Sequence, residues 1–174
     1  MALSLSQTEA VARLLGPHTK VASFGYPDII APQEMIDSIL KTTFSPVEFR
    51  ADSEAICKRH GLAKRQIPDA HSFFKLLGAE LDVYDIVQER GCEILCDLNA
   101  PDIYGLQFKS NDPKYEIVLD VGTAEHCFNI GMALFNMASL VKEDGWIVHE
   151  NPSNWLNHGF YNLTTLWTNS SFFA

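Results

Sequence analysis

Residues 115–149 read YEIVLDVGTAEHCFNIGMALFNMASLVKEDGWIVH, and this stretch decides the fold. Tyr115-Glu-Ile-Val-Leu-Asp120 is a short apolar run rich in β-branched residues, the pattern of a strand buried on both faces. Ala124 to Val141 follows, with Phe128, Met132, Phe135, Leu140 and Val141 broadly on one side, which predicts a helix laid against a sheet. Lys142-Glu-Asp-Gly145 ends that helix, and Gly145-Trp-Ile-Val-His149 is a second apolar strand. Two strands joined by a crossover helix pair in parallel, because a short hairpin cannot bring them side by side in the same direction.

The same alternation extends towards the N-terminus. Val21-Ala-Ser-Phe-Gly25, Ala79-Glu-Leu-Asp-Val83 and Glu93-Ile-Leu-Cys-Asp97 are further strand candidates. Ser6 with Glu9 reads as a capping box ahead of a helix over 6–15. Gln33 to Lys41 follows Pro32, which suits a first helical turn. Ser45-Pro46-Val-Glu48 predicts a helix start running towards Gly61, and Asp69 caps a helix over Ala70 to Leu77. The expected architecture is therefore α/β: a Rossmann-like, mostly parallel sheet of about five strands flanked by helices. It is read as one domain over 1–174, with an N-terminal helix at 6–15, a core sheet within 20–150 and a tail over 151–174.

Composition narrows the function. The 174 residues are 47% hydrophobic and 20% charged, with a net charge of -9. A chain so acidic lacks the clustered Lys and Arg that hold a phosphate backbone, so no nucleic-acid partner is expected. The short basic run Lys58-Arg59-His60, with Lys64-Arg65, reads as a solvated helix end. No apolar stretch reaches the length of a membrane span and no secretory leader opens the sequence, so a cytoplasmic protein without a membrane partner is expected. The four cysteines lack paired metal-site spacing and read as free thiols.

Ligands of parallel α/β sheets bind beyond the carboxyl ends of the strands. Those ends here are Gly25, Asp82, Asp97, Asp120 and His149. An acid ending the second strand can accept both ribose hydroxyls of a nucleoside, which points to Asp82 with Asp85 as second choice. Asp97 can accept from an exocyclic adenine amine. Any one of these acids is more often a cap of the next turn, and only their joint placement favours a ligand.

Asp97-Leu-Asn99-Ala-Pro101, Asp120-Val-Gly-Thr123-Ala-Glu125-His126-Cys-Phe-Asn129, and His149-Glu-Asn-Pro152 with Asn157-His158-Gly-Phe-Tyr161-Asn together resemble a group of bacterial class I S-adenosylmethionine methyltransferase-like proteins. The resemblance covers roughly residues 20 to 162 and rests on three motifs in the same order. It implies a Rossmann-like fold and S-adenosylmethionine as cofactor, while the acidic composition and the loop rich in His and aromatic residues (His158, Phe160, Tyr161) would suit a small polar or sugar-like methyl acceptor. It also implies cofactor contacts from Gly25, Asp82, Asp97, Leu98, Asn99 and Asp120. His126 and His158 are the candidate catalytic bases, and Glu125, His149, Asn157 and Tyr161 the candidate acceptor contacts; no metal is expected.

Two departures from that pattern matter. The first-strand loop, Gly25-Tyr-Pro-Asp28, carries one glycine where a glycine-rich loop is usual. The antiparallel strand pair that ends the family's sheet is also missing from the expected elements. That leaves strand 145–149 at an edge, to be covered by the tail or paired with a second copy in a homodimer. Two other readings stay open. One is a binding module for S-adenosylmethionine or a nucleotide without catalysis. The other is a metal-dependent hydrolase using Glu125, His126, His149, Glu150 and His158, although adjacent Glu125-His126 is not helical ligand spacing.

Overall fold

The computed structural model describes residues 2–40, 46–101, 115–154, 156, 158–163 and the backbone of 166–169. In chain order the elements are β1 (Ala2–Leu3), α1 (Leu5–Leu14), β2 (Thr19–Phe24), β3 (Asp28–Ile29), α2 (Gln33–Leu40), α3 (Ser53–Arg59), α4 (Ala70–Leu76), β4 (Ala79–Asp85) and β5 (Ile94–Leu95). Then come β6 (Tyr115–Val121), a 3-10 turn (Ala124–His126), α5 (Ile130–Leu140), β7 (Val141–Glu150) and β8 (Leu166–Asn169). The chain forms two compact units, one of residues 20–26 and 82–174, the other of residues 2–19 and 27–81.

The first unit carries the sheet, whose strand order is β5-β4-β2-β6-β7-β8. The pairs β4/β5, β2/β6 and β6/β7 are parallel, as alternating strands and helices require. This is the expected α/β, Rossmann-like arrangement. Ala133, Met137 and Leu140 of α5 are fully buried in one cluster with Ala22, Val118 and Ile147, so the crossover helix closes the core over the middle strands. The edge expected to be covered by the tail or by a second copy is paired by the tail: β8 runs antiparallel to β7, from Trp146 opposite Asn169 to His149 opposite Leu166. Hydrogen bonding to the tail thus occupies the outer side of a strongly apolar strand.

Three differences from the expected elements bear on the site. The strand expected to end at Val83 continues to Asp85: the alternation of buried and exposed residues stops at Val83, but Tyr84 adds a buried ring and pairs with Ile94 of β5, as Asp85 does with Leu95. Asp82 therefore lies inside β4 and Asp85 at its end. The third strand keeps only Ile94–Leu95, which leaves Asp97 in the following turn. The long helix expected from Ala124 is interrupted. Asn129 caps α5 by accepting from the Met132 amide at 3.1 Å, so residues 124–126 form a separate 3-10 turn. Phe128 and Phe135, expected on the buried face, are 76% and 59% exposed.

The second unit packs Ile56, Cys57 and Ile67 into a small core of its own. Asp28, at 2% exposure, is ringed by Arg50, Arg59 and His60 at 3.5–3.9 Å. Lys64 pairs with Glu54 at 2.8 Å, and Arg65 donates to the Ile30 carbonyl. Much of the basic run is thus engaged inside its own unit. The N-terminal capping box sits at Ser4 and Gln7 rather than Ser6 and Glu9, and α4 takes its expected cap, Asp69 accepting from Ser72 N at 2.9 Å. The helix expected from Ser45 starts at Ser53, and Ser45 itself lies outside the described residues. Among the described residues, no helix is long and apolar enough to cross a membrane.

Candidate functional site

A cleft of about 260 Å³ opens at the carboxyl ends of β2, β4, β5 and β6, within the first unit. Its floor is Phe24, Tyr84 and Leu98, and its polar groups come from Asp85, Asp97, Asn99, Thr123 and His126. Gly25 and Gly122, both on the lining, adopt φ +82, a left-handed conformation that side chains other than glycine enter at a cost. At each of these positions the chain leaves a strand with no side chain on the cleft lining. Gly25 N is fixed by the Tyr84 carbonyl at 2.7 Å, which ties the ends of β2 and β4 together.

Behind the cleft stands Asp120, the last acid of β6 and fully buried. Its Oδ2 accepts from His149 Nδ1 at 2.8 Å and from Asn151 Nδ2 at 2.9 Å. Its Oδ1 accepts from the Ala124 and Thr123 amides at 2.9 and 3.3 Å, at the start of the 3-10 turn. A carboxylate beside free amides at a turn start is favourably placed, and here it also holds the end of β7. Asp120 and His149 therefore anchor the wall instead of lining the cleft. Asn151, which sequence reasoning missed, belongs to the same network.

The Asp97-Leu98-Asn99 turn is likewise partly architectural. Asp97 Oδ1 accepts from Asn99 N at 2.9 Å and Asn99 Nδ2 at 2.8 Å, while Asn99 Oδ1 accepts from Asn129 N at 2.9 Å. Asn136, buried in α5, donates to the Leu98 and Ala100 carbonyls at 3.0 and 2.9 Å. Asp97 nevertheless remains exposed at the cleft, with Leu98 buried beside it. Asp82 is not on the lining; its Oδ2 accepts from the Tyr115 hydroxyl at 2.7 Å, and that residue meets Tyr84 Oη at 2.8 Å. Burial chiefly drives both tyrosine pKa values upward, so they stay protonated hydrogen-bonding groups.

On the far side of the cleft the 158–161 segment folds onto the 3-10 turn. Phe160 N donates to the Glu125 carbonyl at 2.8 Å, Tyr161 Oη donates to the Phe128 carbonyl at 3.0 Å, and the Phe128 and Phe160 rings meet edge to face. Gly159 is required by this approach, since a Cβ there would stand 2.6 Å from the Glu125 carbonyl oxygen. The result brings His158 to Glu125 and His126. Each histidine Nε2 lies 3.6 Å from Glu125 Oε1, and the two rings are 5.1 Å apart. Glu125 is fully buried, and among the described residues neither of its carboxylate oxygens has a hydrogen-bond partner. Burial raises its pKa, Asp120 adding to the rise and the two histidines opposing it. Asn157 lies outside the described residues.

Two thiols, Cys96 and Cys127, also face the cleft. Burial pushes both up to about 11, so they are neutral thiols near pH 7 rather than nucleophilic thiolates. The cleft thus combines an apolar floor, Asp85 at the end of β4, Asp97 beyond β5, two glycines and one imidazole, His126. That set suits a nucleoside-bearing ligand: apolar surface for a base and acids for hydroxyl or amine donors. The volume lies just below the range of about 300–1,000 Å³ of pockets that enclose drug-sized ligands. Asp85, the second choice after Asp82 in the sequence, is the one of the two acids on the lining, because β4 runs two residues past Val83.

No family model matches the chain, and no curated protein matches it. Among solved structures, the YcgJ protein from Bacillus subtilis is similar at 11% identity and a TM-score of 0.36, over 86% of this chain and 50% of that one. A protein of Bacillus halodurans described as a candidate methyltransferase is similar at 13% identity and a TM-score of 0.37, over 86% of this chain and 52% of that one. The chain thus spans about half the length of the solved structures it resembles.

Proposed function

We propose that the cleft binds S-adenosylmethionine and that the protein transfers its methyl group to a small polar acceptor. The observation that carries this reading is Asp85 at the end of β4, on the lining of one apolar-floored cleft together with Gly25 and Asp97. In this assignment Asp85 accepts the ribose hydroxyls, Asp97 accepts from the adenine amine, and Leu98 and Phe24 cover the base. Gly25 and Gly122, without side chains, let the rest of the ligand approach the chain closely. S-adenosylmethionine, when bound, supplies an electrophilic methyl group on its sulfonium sulfur. The acceptor's lone pair forms the new bond to carbon, the carbon–sulfur bond breaks, and the acceptor's proton must leave. His126, the imidazole on the lining, receives that proton, with His158 and Glu125 fixing its side of the cleft.

Replacing Asp85 by alanine is expected to weaken S-adenosylmethionine binding by roughly 1.5–3 kcal/mol, the range for hydrogen bonds to a charged group. Asp82→Ala is expected to leave affinity nearly unchanged, since that carboxylate is taken up by Tyr115. Calorimetric titration of both variants checks this. Equal affinities in wild type and Asp85→Ala would remove the ribose assignment.

A further inference from the structure

We propose that Glu125, His126 and His158 form a binding site for one divalent transition-metal ion of the zinc class, at the edge of the cleft. The first ground is chemical. A carboxylate that is completely buried, with no hydrogen-bond partner for either oxygen among the described residues, carries a large desolvation cost unless a cation meets it. Two imidazole nitrogens are the groups aimed at the same carboxylate oxygen, each at 3.6 Å, beyond ordinary hydrogen-bond reach.

The second ground is geometric. The three ligand atoms, one from each residue, all lie within 4.8 Å of one another. In a tetrahedral site with bonds of about 2.0–2.1 Å, ligand atoms stand about 3.4 Å apart. Both carboxylate-to-imidazole distances already approach that value. Closing the imidazole-to-imidazole distance needs small rotations of two side chains that are 52% and 34% exposed. Glu125 and His126 are adjacent, a spacing that would fail on an α-helix, but the 3-10 turn lets the ring of His126 swing back to its neighbour. Gly159 lets the 158–161 segment close down on the turn, so the backbone supplies the third ligand from a distant part of the chain.

The third ground is the ligand set. Two imidazoles and one carboxylate suit zinc and its first-row neighbours, whereas calcium and magnesium take oxygen ligands. Three protein ligands leave a coordination position open, the arrangement of sites that act on a bound molecule rather than merely hold the fold. His126 places that position beside the cleft. The inference stands whether or not the cleft holds S-adenosylmethionine. A lone pair given to a metal is not available for the acceptor's proton, so the proton-accepting role proposed for His126 belongs to the metal-free protein.

The test uses the full chain, stripped with a chelator and titrated with zinc chloride and with cobalt chloride. Cys92→Ser serves as background, removing an exposed thiol that could compete. The expected result is one ion per chain and a visible cobalt spectrum without the thiolate charge-transfer band. His126→Ala, His158→Ala and Glu125→Gln should each weaken binding by about 100-fold or more, exceeding the usual loss from outer-shell changes. His71→Gln, in α4, should bind as the background protein does. His126 is half exposed, so its variant keeps the fold even if the buried Glu125 variant does not. Failure of the background protein to take up zinc, or retention of its full affinity in His126→Ala and His158→Ala, would overturn the site. Because no S-adenosylmethionine is present, that failure is separate from failure of the proposed methyl transfer.

Discussion

Replacing Asp120 by alanine is expected to lower the unfolding free energy by about 3–5 kcal/mol, the cost of removing one partner from a buried charged network. The substitution leaves His149 Nδ1, Asn151 Nδ2 and the Thr123 and Ala124 amides without their shared acceptor. Each buried donor so abandoned costs about 1–3 kcal/mol, and partial rehydration keeps the total below the sum. Against a typical stability of 5–15 kcal/mol, roughly, such a loss removes much of the folded population's margin. His149→Ala should cost less, because it frees one hydrogen bond and leaves the turn amides capped. Urea unfolding of the two single variants and the double variant checks the account. Additive losses would mean that the His149–Asp120 contact is not energetically coupled.

The second large effect is catalytic. His126→Ala is expected to lower methyl-transfer turnover by about 10²–10⁴, the contribution of a positioned proton-transfer group. Affinity for S-adenosylmethionine should stay nearly unchanged, because the acids assigned to the nucleoside sit on other strands. The readout is turnover with saturating cofactor beside a separate binding titration. A parallel loss of both would place His126 in cofactor binding. Loss of turnover that follows loss of zinc would assign it as a metal ligand.

The parallel sheet was legible because its signal is redundant. β6, α5 and β7 each carry a period or an apolar run that only one arrangement satisfies. Boundaries were less legible where a side chain outcompeted periodicity. Asn129 is one such residue: as a helix cap it divides a run whose apolar spacing alone predicts one continuous helix. The same division left Phe128 exposed and placed Glu125 and His126 on a tighter turn, so their joint geometry could not follow from α-helical spacing. Asp120 shows a different limit. Its place at a strand end was readable, but whether it served a ligand or the wall depended on His149 near the end of β7 and Asn151 just beyond it. Asp82 and Asp85 differ by three positions, and the choice between them turned on whether Tyr84 prolonged the strand. The three-residue cluster was the least visible, since Gly159 reveals its purpose only where it meets the Glu125 carbonyl.

Calorimetric titration of the wild-type chain with S-adenosylmethionine and with its demethylated product tests the central claim most directly. The account predicts saturable binding of both ligands with one site per chain, and a weaker titration in Asp85→Ala. Absence of measurable heat and of competition between the two ligands, with a correctly folded protein, would contradict it.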